Sequence, residues 1–199
     1  LVYVGDDSFE KDLSEKDWVL LLHDERQRLV GFSSLRRGRH LFRNEPVTVF
    51  FSGDTVVHPA SRNNFDLPRR WAQAVFSLVE QESNPCYWFL ICSGFRTYRF
   101  LPIFYRQFYP RFDRPTPPEI AAFMDQLALG SFAELYDPQR GIVRLQTPCR
   151  EPLPPRKLDP HSRYFLERNP GWSEGHELVC LTELSLENQS PALHRLLRS

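Results

Sequence analysis

The chain has 199 residues, of which 41% are hydrophobic and 14% aromatic. That is one domain's worth of core-forming material and excludes wholesale disorder. Lys+Arg and Asp+Glu both number 25, so the formal net charge is 0. This argues against a surface built to neutralise a phosphate backbone, and nucleic acid is not an expected partner. No apolar run is long enough to span a membrane, and no charged-then-apolar leader opens the sequence, so the expectation is a soluble cytoplasmic protein.

In chain order, Trp18-Val19-Leu20-Leu21-Leu22-His23 and Arg28-Leu29-Val30-Gly31-Phe32-Ser33-Ser34-Leu35 flank the polar tetrad Asp24-Glu25-Arg26-Gln27. Two apolar runs around a short charged turn predict a β-hairpin. Val47-Thr48-Val49-Phe50-Phe51-Ser52, set between Pro46 and Gly53, is β-branched and aromatic and predicts a strand buried on both faces. Asp66 and Pro68 mark a helix start, and Leu67, Trp71, Val75, Leu78 and Val79 give one apolar face as far as Gln81. Asn84-Pro85 ends that helix, and Cys86 to Cys92 predicts a central strand.

Beyond Gly94, the spacing of Tyr98, Leu101, Phe104, Tyr105 and Phe108 predicts a helix limited by Pro110. Thr116-Pro117-Pro118-Glu119 has the form of a capping box for a helix stopping at Gly130. A turn at Asp137 to Gly141 leads to a short strand, Ile142 to Leu145. Thr147 to Pro160 carries five prolines and predicts an extended connector. Arg163-Tyr164-Phe165 and Asn169-Pro170-Gly171-Trp172 then predict an aromatic loop, followed by a strand at Leu178 to Leu181 and a last helical turn or two from Pro191 to Leu197. Cys86, Cys92, Cys149 and Cys180 lack the paired spacing of a zinc site and are too sparse for a disulfide scaffold, so reduced thiols and no metal are expected.

The order hairpin, strand, helix, strand, helix, strand resembles the GNAT superfamily of acyl-coenzyme A N-acyltransferases. Gly31-Phe32 matches the Gly-apolar pair that family often carries in its second hairpin strand. The family's V-x-P-x-x-R-x-x-G-x-G/A segment is matched at Val57, Pro59 and Arg62, with Phe65 and Leu67 in place of the two glycines. Phe104-Tyr105 matches the start of the family's late Tyr motif, which here lacks its Gly-Phe end.

The resemblance covers Trp18 to Pro110. It implies an α/β fold with a mixed, centrally splayed sheet flanked by helices, organised as a core over 1–146 and a C-terminal extension over 147–199 that completes the same domain. It also implies acyl transfer from a thioester donor to a small-molecule amine by direct attack, with Asp54 or His58 as base and Tyr105 as the acid for the departing thiolate. Donor contacts would come from Thr55, Val56 and Val57, from Arg62, Asn63 and Arg69, and from Ser93, Arg96 and Tyr98.

Glycine lets a backbone approach a pyrophosphate closely, so Phe65 and Leu67 shift that task to arginines. They also point to a donor other than plain acetyl-coenzyme A: a long acyl-coenzyme A or an acyl-carrier protein, as co-substrate and not as a tightly bound cofactor. The chain would act as a monomer or homodimer. The alternative is a catalytically silent module of the same fold that binds a ligand or protein.

Overall fold

The computed structural model describes residues 6–58, 61, 66–145 and 158–198. In chain order its elements are α1 (Asp6–Ser14), β1 (Trp18–His23), β2 (Leu29–Phe42), β3 (Glu45–Val57), α2 (Asp66–Val79), β4 (Cys86–Cys92), α3 (Phe95–Tyr98), α4 (Phe100–Phe104), α5 (Pro118–Phe132), β5 (Tyr136–Asp137), β6 (Ile142–Arg144), α6 (Pro160–Arg168), β7 (His176–Glu183) and α7 (Pro191–Arg198). The class is mixed α/β, with seven strands in the order β1-β2-β3-β4-β7-β6-β5 flanked by helices. The chain divides into two compact units, Leu1–Trp88 with His194–Ser199, and Phe89–Leu193.

In the first unit, β1, β2 and β3 form an antiparallel meander. The first hairpin closes as the sequence predicts: Asp24 and Arg28 are joined through their backbones, and Gln27 takes the left-handed conformation (φ 59°). The second hairpin was not anticipated. Arg36 to His40 carries too much charge to read as strand, yet β2 continues to Phe42 and turns on Arg43 and Asn44, both at positive φ (53° and 63°). A two-residue turn of that hand matches the twist of the strands it joins. Gly31 allows β2 and β3 to close up, because a Cβ there would stand 2.7 Å from the Val56 carbonyl oxygen and 3.3 Å from Val57 Cα.

The strand expected to end at Ser52 runs on to Val57. Gly53 and Asp54, which read as turn residues, are instead absorbed by a bulge: Leu35 pairs with Ser52 and Ser33 with Thr55, so both face Ser34. The core of this unit holds Leu35, Val47, Val49 and Phe50 together with Trp71, Ala72, Val75 and Phe76 of α2. Trp71 lies against Trp88 at 4.2 Å between ring centroids, and Trp88 Nε1 donates to Ser52 Oγ at 2.9 Å. Each fully buried Val, Leu or Phe side chain of this set stabilises the fold by about 1.5–3 kcal/mol.

After α2, Glu82 carries an ion-pair network whose own side chain is 3% exposed. It accepts from Arg37 at 3.0 Å, Arg39 at 2.8 Å and Thr48 Oγ1 at 2.9 Å. Burial works against the carboxylate, but Thr48 and the two guanidiniums outweigh it and hold its pKa below the ordinary value. The network's stabilisation is therefore present above the unfolded carboxyl pKa and is lost as pH falls through the lower folded value. Glu82→Gln is expected to cost about 1–2 kcal/mol at pH 7, a modest figure because both arginines are solvent-screened. The gap from wild type should close on acidification, as read by urea unfolding at pH 7 and pH 3.

In the second unit, the helix expected from Tyr98 to Phe108 is two short pieces, α3 and α4, and stops at Phe104. A ladder competes with it: Tyr109 and Leu181 exchange backbone hydrogen bonds at 2.8 and 2.9 Å, drawing the chain out before the cis Tyr109–Pro110 bond. The Thr116 capping box does not form. Pro117 precedes a proline and is held extended (ψ 141°), so α5 starts one residue later, then passes Gly130 to end at Phe132.

The expected aromatic loop is partly helical, because Asp159-Pro160 caps α6. The Asp159 carboxylate accepts from His161 N–H at 3.0 Å and Ser162 N–H at 3.1 Å. Its Tyr164 and Phe165 pack on Tyr98, and Trp172 meets Phe95 edge-on. Cys86, Cys92 and Cys180 are buried free thiols, and Cys149, with most of the proline-rich connector, lies outside the described residues. No helix among the described residues is long and apolar enough to cross a membrane.

Candidate functional site

The bulge in β3 sets the geometry of the first unit's candidate residues. Asp54 is half-buried, and its backbone N–H donates to Ser34 Oγ at 3.1 Å. Ser33 Oγ and Thr55 Oγ1 are hydrogen-bonded at 2.8 Å, tying the strands together directly after the bulge. The His58 N–H donates to the Val30 carbonyl at 2.7 Å, while its side chain is exposed. Antiparallel alternation then turns the N–H groups of Thr55 and Val57 away from β2. Thr55 and Val56 are exposed and Val57 is half-buried.

At this end of β3 lies a cleft of about 830 Å³. Leu21, Leu22, Val30 and Val57 line it beside the polar His23, Gln27 and Ser61, the acidic Asp24 and Glu25 and the basic Arg26, Arg28 and Arg70. The hairpin turn is rigid where it borders the cleft. Asp24 accepts from the Arg28 N–H and the Arg26 N–H, both at 2.9 Å, and from Arg28 Nε at 2.8 Å; these bonds hold its carboxyl below the ordinary pKa. Arg28 is therefore neutralised in part. Arg26, in the hairpin turn, and Arg70, in α2, have no carboxylate within ion-pair distance among the described residues, and Glu25 lines the same cleft. Arg69, beside Arg70, is half-buried, and Arg62 and Asn63 lie outside the described residues.

Four further candidates stand in the second unit. Ser93 is half-buried after β4, and Arg96 is exposed on α3. Tyr98 is a core side chain at 0% exposure whose hydroxyl donates to the Pro110 carbonyl at 2.8 Å. Tyr105, at the end of α4, is 3% exposed, and burial raises the pKa of its hydroxyl. Both tyrosines follow the helical spacing that led to them, but the spacing reports packing in this unit's core.

Arg26, Arg28 and His23 belong to the charged turn and strand ends of the predicted hairpin and carry no motif. The one signal for them was the concentration of charge between two strongly apolar runs. Among the described residues no group of three His, Cys, Asp or Glu side chains is placed to hold a metal ion.

No protein-family model matches this sequence, and no curated protein matches it. Among solved structures, the chain is similar to the crystal structure of a conserved protein of unknown function from Enterococcus faecalis V583, described as a probable N-acyltransferase. The two are 15% identical with a TM-score of 0.41, over 56% of this chain and 31% of that one, so the present chain spans less than a third of that protein.

Proposed function

We propose that the chain is an acyltransferase of GNAT type that takes a thioester donor, acyl-coenzyme A or acyl-carrier protein, and passes its acyl group to an amine. One observation carries this reading: a cleft near the end of β3 and the start of α2 where Arg26 and Arg70 have no carboxylate partner among the described residues. A helix start offers orphan N–H donors and the positive end of its dipole, and guanidiniums add charge-assisted bonds to phosphate oxygens. In this reading Arg26 and Arg70 take the donor's phosphates, the Thr55 N–H stabilises the oxyanion, and Asp54 accepts the amine proton.

The test is thermal denaturation with coenzyme A thioesters of increasing chain length and with an acyl-carrier protein thioester. A ligand that binds the folded state raises Tm by mass action. Arg70→Ala is expected to weaken the stabilising donor about tenfold, the value of one charge-assisted bond at a partly exposed site. Unchanged affinity in that variant, or no donor raising Tm, would remove the cleft from the reading. The burial of Tyr105 favours a second reading, in which the fold binds a thioester or a protein without turnover. Donor binding with no acyl transfer to any of a panel of amines is its signature.

A further inference from the structure

β1 ends the strand order β1-β2-β3-β4-β7-β6-β5, so one of its edges pairs with β2 and the other has no strand beside it among the described residues. Natural proteins guard such an edge with charge, proline or brevity, because its N–H and carbonyl groups are a template for another strand. β5, at the far end of the order, is two residues long and carries Asp137. β1 has none of these devices: Trp18-Val19-Leu20-Leu21-Leu22 is uncharged, and it pairs regularly until the register shifts between Leu22 and His23.

One face of the strand is also apolar and open. Val19 is 39% exposed and Leu21 53%, while Leu22, on the alternate face, is 5% exposed. Leu21 stands opposite Phe32 in β2, and Phe32 stands opposite Val56 in β3, which is itself 39% exposed. An apolar row therefore runs across the meander and stops at an unpaired backbone edge, which is the surface a second strand with an apolar face would extend.

We propose that β1 is the seam of a twofold dimer, pairing antiparallel with β1 of a second copy about Leu20. The sequence is self-complementary in that register. Trp18 falls opposite the partner's Leu22 and Val19 opposite the partner's Leu21, so the row of Leu21, Phe32 and Val56 continues onto the partner's Val19. Asp17, the first flanking charge, falls opposite the partner's His23 and not a second carboxylate. A slip of one residue would set the exposed face of one copy beside the core face of the other, and a slip of two toward the turn would bring Asp17 opposite the partner's Glu25. The dimer is independent of the acyl-transfer reading, since it rests on a strand edge and its register and needs no donor.

The test is sedimentation equilibrium of the full chain over a concentration series, with circular dichroism to check the fold of each variant. The expected result is a reversible monomer–dimer equilibrium. Val19→Lys and Leu21→Glu should each weaken it about tenfold or more, because each substitution acts twice across the twofold and sets a charge against an apolar partner. Mixed in equal amounts, the two variants should recover association as a heterodimer, since positions 19 and 21 face each other only when the strands pair about Leu20. A chain that stays monomeric throughout would overturn the dimer and leave the edge to a strand from residues outside those described or from another protein. A dimer untouched by both substitutions, or mixed variants that stay apart, would overturn the seam.

Discussion

Asn188→Ala should lower the free energy of unfolding by about 1–3 kcal/mol, because the buried amide's bonds to the backbone of Gln107 and Glu183 are lost at once. Asn188 is 6% exposed. Its Oδ1 accepts the Gln107 N–H at 2.7 Å, and its Nδ2 reaches the Gln107 carbonyl at 2.9 Å, the Glu183 carbonyl at 2.8 Å and Thr182 Oγ1 at 3.0 Å. The Asn188 carbonyl also accepts the Arg106 N–H at 2.9 Å, so one residue fastens the segment after α4 to the end of β7. Alanine keeps the backbone bond, and the Thr182 hydroxyl still donates to the Gln107 carbonyl at 2.8 Å, but the Gln107 N–H and the Glu183 carbonyl lose their amide partner, and an unsatisfied donor costs about 1–3 kcal/mol where it is buried. Urea unfolding followed by fluorescence and circular dichroism measures the loss. A decrease below about 1 kcal/mol would show that water replaces the amide, a substitution that buried positions seldom allow.

Asp54→Asn should reduce acyl transfer by about 10²–10⁴ while leaving donor binding intact, if Asp54 is the base of the proposed reaction. An amine attacks a thioester only when neutral, and asparagine fills the same space without accepting a proton. The bulge supports this role physically, since it aims the residue off the regular pleat and pins its N–H on Ser34 Oγ. The variant should also lose the acidic limb of the pH–rate profile, which reports the base in the free enzyme. Wild-type turnover in Asp54→Asn would transfer the proton-accepting role to another group, and His58 would be next to test.

Where an element's cause is local, the sequence showed it. The first hairpin, β4 from Cys86 to Cys92 and the face of α2 all follow from apolar periodicity and nearby breakers. Where the cause is a distant partner, it did not. Tyr105 and Phe108 have helical spacing, but the backbone groups of Tyr109 belong to Leu181, some seventy residues later in the chain. Gly53-Asp54 has the wording of a turn, and only the register against Ser34 makes it a bulge. The same limit governs the sites. Val57 was expected as a donor contact from the resemblance alone, whereas Arg26 lines the same cleft because the hairpin brings its turn there.

The buried thiols also give the molecule a built-in report on its own opening. Cys86 belongs to the first unit and is 4% exposed, while Cys92 and Cys180 belong to the second and are fully enclosed. A thiol reacts as its thiolate, and burial raises Cys86 to a pKa of about 11, so closed molecules are nearly inert to an alkylating reagent. Reaction then waits on an opening event, and its rate measures how often that event occurs. With Cys149 replaced by serine, mass spectrometry of the labelled peptides would time Cys86 separately from Cys92 and Cys180. Equal rates would mean that the two units open together; unequal rates would rank them by local stability.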